Sequence, residues 1–382
     1  MACPVPVTAR LIVLVALFTL CAACDSAEGP PEGVTRALLE VDVDIIAFDF
    51  NLPSSVEVIA EDEYLITERL DGLFYYRDGA TVLLDDDSGT SEVEDFWSGL
   101  MDASLHPQFD TNGLVYLAGI GRDGTMRVMR FNFADRTIQD LELIFQSNAF
   151  APMSRIVWQD DEHFFVTQGV GGNPYPDPGA QDLSSDAGKI HRLRADGSIP
   201  PDNPVFEGTT GPTSIWSYGH RDPRGLLYDA DTGVLYATEQ GPLGGDELNV
   251  IQKGANYGWP LFSYGLNYDE TPVSDLAEDE ARQSTALPLK HWTPDFDIAP
   301  SGLLKPAGSQ FPTLNGLFLF GSLEQARLLA YDVESDQTVI LLDRVGAVYD
   351  ATQLPSGRLL ITVSAGAPFP SSTGRLLKLT PR

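Results

Sequence analysis

A short apolar strand followed closely by a second one recurs six times along this chain, and no other feature restricts the fold as tightly. The first strands fall at residues 64–67, 114–117, 163–167, 234–238, 317–320 and 358–362. Their partners follow at 72–76, 124–130, 188–193, 246–251, 327–331 and 374–379, most announced by Gly or a charged turn. Runs such as 156–159 and 225–229 precede some pairs and supply an inner strand. Three or four short strands per unit, six units and no helical period predict an all-β, six-bladed β-propeller. The spacing averages about 60 residues, close to the roughly 40–50 of propeller repeats once loops are added. A β-sandwich would not need six copies of one hairpin. The 35 glycines and 27 prolines agree with many turns.

The spacing is uneven, with long insertions at about 170–187 and 256–300. Insertions in a propeller become loops, and long loops on one face build the binding surface. One end of the central channel, around blades three to five, is therefore the place to look for a site.

Charge removes one class of function. Asp and Glu number 55 against 24 Lys and Arg, a net charge of −31. Such a surface repels phosphate backbones, which excludes nucleic acid as the main partner. It also leaves contact with a membrane to an anchor rather than to the protein surface.

The N-terminus reads as an export signal. Arg10 precedes the apolar stretch Leu11 to Leu20, too short for a membrane-spanning helix. Ala22 and Ala23 then precede Cys24. The pattern resembles a bacterial lipoprotein signal, which implies a lipid on Cys24, although Cys21 stands where that pattern has Leu or Val. Ordinary cleavage after Ala23 is the alternative. The expected layout is a signal over 1–23, a polar tether over 24–36 and one propeller over 37–382, placed in the periplasm or cell envelope. All three cysteines (Cys3, Cys21 and Cys24) lie at or before the cleavage point, so the body has no disulfide, Cys-ligated zinc or thiol nucleophile.

The middle of the chain carries the most chemistry. Trp216-Ser-Tyr-Gly-His-Arg-Asp-Pro-Arg-Gly225 is followed by Glu239-Gln-Gly-Pro-Leu-Gly-Gly-Asp-Glu-Leu-Asn249, Gly254-Ala-Asn-Tyr-Gly-Trp-Pro260 and Ser263-Tyr-Gly-Leu-Asn-Tyr268. Glycine turns around Gly241-Pro242 and Gly244-Gly245 let the backbone approach a ligand. Asp246, Glu247 and nearby carbonyls suit a hard cation, since calcium takes 6–8 oxygens; an acidic turn with aromatic packing is the plain alternative. Aromatic residues Tyr257, Trp259, Tyr264, Tyr268 and Trp292 suit stacking on a ring or simply the core.

This succession, with Gly99-Leu-Met-Asp102, His106-Pro107, Phe109 and Ser301-Gly302, resembles the glucose/sorbosone dehydrogenase family. These are sugar dehydrogenases that use pyrroloquinoline quinone (PQQ) on a six-bladed propeller. The resemblance implies a structural calcium at Glu247 and the carbonyl of Tyr257. It also implies that Arg221, Asp222, Gly241, Pro242 and Tyr268 face substrate or cofactor, Asp222 standing where the family has Asn.

The departures are concentrated where the quinone chemistry belongs. The family base, a His before Phe-Gly-Gly-Arg, corresponds to Ala151 in Ala151-Pro-Met-Ser-Arg155, so no catalytic residue is assigned. Its helper Asp corresponds to Val170, and a family Gln to Trp97. The Lys and two Arg that meet the quinone carboxylates correspond to Glu324, Ala347 and Tyr349. Loss of a general base removes about 10²–10⁴ in rate, and Glu324 sets like charge against a carboxylate.

Other chemistries lack a motif. There is no Gly-x-Ser-x-Gly elbow, His-Glu-x-x-His or phosphate loop, and the five histidines show no metal spacing. Asp85-Asp86-Asp87 reads as a solvated turn. Two functions stay open: a recognition propeller for a carbohydrate or small molecule, without PQQ, or an active PQQ dehydrogenase with a rebuilt site. They differ in whether cations such as Arg155, Lys189, Arg221, Arg224 and Lys305 converge on the channel mouth.

Overall fold

The computed structural model describes residues 31–84, 99–121, 123–150, 153–170, 178–364 and 374–382. The export signal with Cys24, and the positions Asp85 to Asp87, Trp97 and Ala151, lie outside them. The segment Pro31–Arg382 forms one compact unit.

Six sheets make a six-bladed β-propeller, as the repeats predict. From the channel outward, blade one is Pro53–Ala60, Glu63–Glu68, Gly72–Arg77 and Ala80–Leu83. Blade two is Leu100–Leu105, Leu114–Ile120, Thr125–Asn132 and Gln139–Phe150, and blade three Ile156–Trp158, His163–Gln168, Lys189–Arg194 and Ile215–Tyr218. Blade four is Pro223–Asp229, Val234–Glu239, Asp246–Ile251 and Lys290–Trp292. Pro300–Leu304, Phe318–Ser322, Arg327–Asp332 and Gln337–Leu342 make blade five, and Ala347–Gln353, Leu359–Ser364 and Gly374–Pro381 begin blade six.

The second strand of each blade is apolar almost throughout because both faces of a blade are covered. Side chains alternate across a strand, so each strand feeds two seams. In blade one, Tyr64 and Ile66 pack with Phe50, Leu360 and Leu376 toward blade six. Leu65 between them packs with Val115, Leu117 and Phe131 of blade two. The pattern continues around the ring: Tyr116 and Val128 meet Phe164 and Val166, Phe165 and Ile190 meet Leu235 and Ala237, Leu248 and Trp292 meet Phe320, and Leu319 meets Leu359 and Ile361.

The N-terminal chain contributes to two blades. Val41–Phe50 is the outer strand of blade six, antiparallel to Gly374–Pro381, so strands from the two ends of the chain share one sheet and close the ring. Val34–Arg36 adds a fifth, parallel strand to blade five. It lies inside the segment expected as tether, because its backbone finds the free edge of Gln337–Leu342.

Arg155 occupies the channel axis, and its side chain is 5% exposed. Nη2 donates to the carbonyls of Ser54 at 2.7 Å and Tyr349 at 2.8 Å, and Nη1 to that of Met101 at 3.2 Å. Nε donates to Arg224 O at 3.1 Å, and Nη1 reaches Asp102 Oδ1 at 3.3 Å. All four carbonyls lie near the starts of inner strands, so these strands begin at one end of the channel, called here the mouth.

Replacing Arg155 with Met should destabilise the protein by about 3–5 kcal/mol, because Asp102 and Asp350 lose their buried counter-charge. Urea unfolding of the two proteins checks this, with an unchanged midpoint as the contrary result.

Candidate binding site at the channel mouth

The mouth is built on the turn between the second and third strands of blade four. A Cβ on Gly241 would lie 2.1 Å from Gly244 O, and one on Gly245 2.1 Å from Gly265 N, so only glycine allows this packing. Asp246 locks the turn. Its Oδ1 accepts from Gly241 N at 2.9 Å, and its Oδ2 from Ile298 N at 2.9 Å and Ala299 N at 2.8 Å. Burial, reinforced by Asp297, pushes its carboxyl up to about 7 against those three donors.

Arg221 bridges this turn and the long insertion. Its Nη1 donates to the carbonyls of Gln240 at 2.8 Å and Gly241 at 2.6 Å, and Nη2 to the Tyr268 hydroxyl at 3.2 Å. The guanidinium lies 5.4 Å from the centre of the Trp259 ring. Tyr268 is 70% exposed and Pro242 is buried. Val170 N donates to Arg221 O at 2.8 Å, which brings the first insertion to the same place.

A small cavity of about 10 Å³ lies behind Arg221, lined also by Glu239, Gln240, Gly241, Glu247, Tyr257 and Trp259. That is room for one water-sized particle. Glu239 accepts from Arg221 N through Oε1 and meets His220 Nδ1 at 2.9 Å through Oε2. His220 is fully buried, bonded to Ser217 Oγ at 2.8 Å through Nε2 and stacked on Tyr257. Glu247 accepts from Asn249 Nδ2 at 2.9 Å, and burial, then Glu239, holds its carboxyl well above the usual range. Glu239 is the residue that the sequence reading passed over; its place between His220 and Glu247 follows only from the pairing of the second and third strands, where it stands opposite Glu247.

Asp222 turns the other way, into the channel. Its Oδ2 accepts from Arg224 Nε at 2.8 Å and Nη2 at 2.7 Å. Arg69 belongs to the same group: burial first, then Arg224, holds its guanidinium pKa below the usual value, and Tyr349 and Asp222 oppose this. The adjacent wall is apolar, with Leu52, Ala347 and Tyr349 buried together and Leu323 packed on them. Glu324 is exposed.

Of the cations proposed from sequence, Arg221 and Arg224 reach the mouth and Arg155 lies just beneath it. Lys189 and Lys305 do not. Lys189 is buried and donates to the carbonyls of Gly179, Ala180 and Ala187. Lys305 pairs with Asp229 at 2.6 Å, at the opposite ends of the inner strands. Arg69 takes their place, from a blade that carries no long insertion.

The glucose/sorbosone dehydrogenase family model matches residues 50–373. An uncharacterised protein of Synechocystis is 34% identical over 86% of this chain and 83% of its own length. Aldose sugar dehydrogenase YliI of Escherichia coli is 31% identical over 76% of this chain and 81% of its own. The crystal structure of the soluble aldose sugar dehydrogenase of Escherichia coli in its apo-form superposes with a TM-score of 0.76, at 27% identity over 90% of this chain and all of that one. Matched by the family model over most of its length and folded as the same propeller, this protein belongs to the glucose/sorbosone dehydrogenase family.

Proposed function

We propose that this propeller is an exported recognition protein for a carbohydrate or similar small polar ligand, and that it no longer runs the PQQ chemistry of its family. The observation that carries the reading is the wall of Leu52, Leu323, Ala347 and Tyr349. Two of these residues stand where the resemblance places the arginines for the quinone carboxylates. Ala347 and Tyr349 are 1% and 4% exposed, packed into neighbours rather than reaching into the mouth. The residues present do not fit a tricarboxylate on that side. Arg221 is pinned by two backbone carbonyls and holds the Tyr268 hydroxyl, leaving an exposed phenol ring suited to stacking on a sugar. The sequence supports export and a lipid anchor on Cys24, in the periplasm or cell envelope.

One observation favours a second reading, an active PQQ dehydrogenase with a rebuilt site. Arg69 and Arg224 approach closely enough to repel each other, beside Tyr349. Asp222 neutralises one of the two charges, which leaves little to balance three carboxylates.

Calcium fits better than PQQ. Glu239 and Glu247 border a cavity of one-particle size, and burial, then Glu239, raises the Glu247 carboxyl well above the usual range, a cost that a cation placed between the two would relieve. These carboxylates, with carbonyls such as that of Tyr257, would hold a calcium ion that ties blade four to the long insertion.

Two measurements follow. Reconstituted with PQQ and calcium, the protein should show no dye-linked oxidation of an aldose panel and no bound quinone by absorbance. Turnover of about 1–10³ s⁻¹, lost in Arg69→Ala and Arg224→Ala, would establish the second reading instead. For calcium, chelation should lower the melting temperature, since a ligand at a hundredfold excess over its Kd stabilises by about 2.7 kcal/mol. Glu247→Ala should abolish the difference between chelated and calcium-loaded protein; identical melting curves for the unmodified chain would remove the ion.

A further inference from the structure

Arg155 divides the central channel. Beneath it, on the side away from the mouth, lies a cavity of about 430 Å³, within the range of about 300–1,000 Å³ usual for small-molecule sites. Its walls are mixed, with apolar side chains that include Val56, Leu105, Trp158, Leu226, Leu304 and Ala351. Three carboxyl groups (Glu57, Asp102 and Asp350) and a single cation, Arg155, line the rest along with a few neutral polar groups.

The three carboxyl groups are not equivalent. Asp102 meets Arg155 at 3.3 Å and accepts from Ile156 N at 2.7 Å. Asp350 accepts from Val56 N at 3.0 Å and stands 3.9 Å from Arg155. Glu57 accepts from Leu105 N at 2.8 Å through Oε1. Among the described residues no cation pairs with it. One guanidinium thus faces three acids in a space large enough for a guest.

We propose that this lower cavity binds a small organic cation with an apolar body, its ammonium group against Glu57 and Asp350 and its carbon skeleton along Leu105, Trp158 and Leu304. Charge complementarity selects the cation, and the apolar side chains favour an amine with a hydrocarbon body over a bare metal ion. The site is separate from the mouth and does not depend on the function assigned there.

The protonation of the cavity supports the same assignment. Burial, with Asp102 and Asp350 adding to it, pushes Glu57 up to about 8. Asp102 is pushed up to about 6 by burial, against the pull of Arg155, and burial raises Asp350 as well. At neutral pH, Glu57 therefore holds a proton in the place of a counter-ion. An ammonium guest pairs only with the ionised form, so it displaces that proton. Below the Glu57 pKa the competent fraction falls about tenfold per pH unit, and apparent affinity falls with it.

The test is isothermal titration of the full chain with phenethylamine, and with phenethyl alcohol as the uncharged counterpart, at pH 6, 7 and 8. The amine should bind at least tenfold more tightly than the alcohol. Its affinity should rise about tenfold from pH 6 to 7, with proton release visible as a heat that depends on the buffer. Glu57→Gln keeps the acceptor for Leu105 N and should erase both the preference and the pH slope. Thr352→Trp keeps every charge but fills the cavity, and should weaken the amine if Glu57→Gln does not fold. Equal binding of amine and alcohol, a flat pH profile, no binding at millimolar amine, or unchanged binding in the folded variants would each overturn the proposal.

Discussion

The inner edge of every blade is the difficulty that this structure has to solve. An innermost strand pairs with its neighbour on one side only, and its other edge faces the channel with N–H and C=O groups that need partners. Here the answer is three acidic side chains and one guanidinium. Carboxylates reach from one blade to the next, Glu57 to Leu105 N, Asp102 to Ile156 N and Asp350 to Val56 N. Arg155 gathers carbonyls from blades one, two, four and six. Blade five joins through Ser301, whose hydroxyl donates to Val348 O and whose carbonyl accepts from Thr238.

That solution shapes everything above and below it. Arg155 blocks the channel, so the mouth is a shallow dish over a plug rather than the top of a tunnel. The long insertion that begins after the third strand of blade four can then lie across the dish, and Asp246 fixes its far end to the same turn that positions Arg221. Beneath the plug the carboxyl groups that cap the strands leave an acidic space. A structural need at the edges thus produces two chemically distinct compartments on one axis.

The repeat was readable because a propeller blade buries both faces, which leaves a run of apolar residues between turns in every unit. Residues 64–67 and 317–320 show it, and they lie within or across the edges of the observed strands Glu63–Glu68 and Phe318–Ser322. The closing strand Val41–Phe50 was hidden because its outward residues include Asp42 and Asp44, and its partner lies at the other end of the sequence. The cluster of Arg221, Gly241, Glu247 and Tyr257 was legible as motifs, since local turns set its spacing. Arg69 and Glu239 were not, because nothing local distinguishes them; only the closed ring brings Arg69 from blade one to Arg224 of blade four. The same holds for Lys189 and Lys305, whose side chains are spent on neighbouring carbonyls and on Asp229.

Sharing blade six between the two ends of the chain has a consequence for how the molecule is made. The strand Val41–Phe50 is synthesised long before its partner Gly374–Pro381. The inner strands of the first five blades emerge earlier, yet the seam between blades six and one cannot form until the inner strands of blade six have followed. Until then Phe50, Val56 and Tyr64 lack the cover of Leu360 and Leu376. The entropy of joining such distant segments grows only slowly with the length between them, so the cost lies in waiting rather than in the final state. Until that partner strand arrives the nascent chain carries an open ring and an exposed apolar edge, which makes it a client for chaperones.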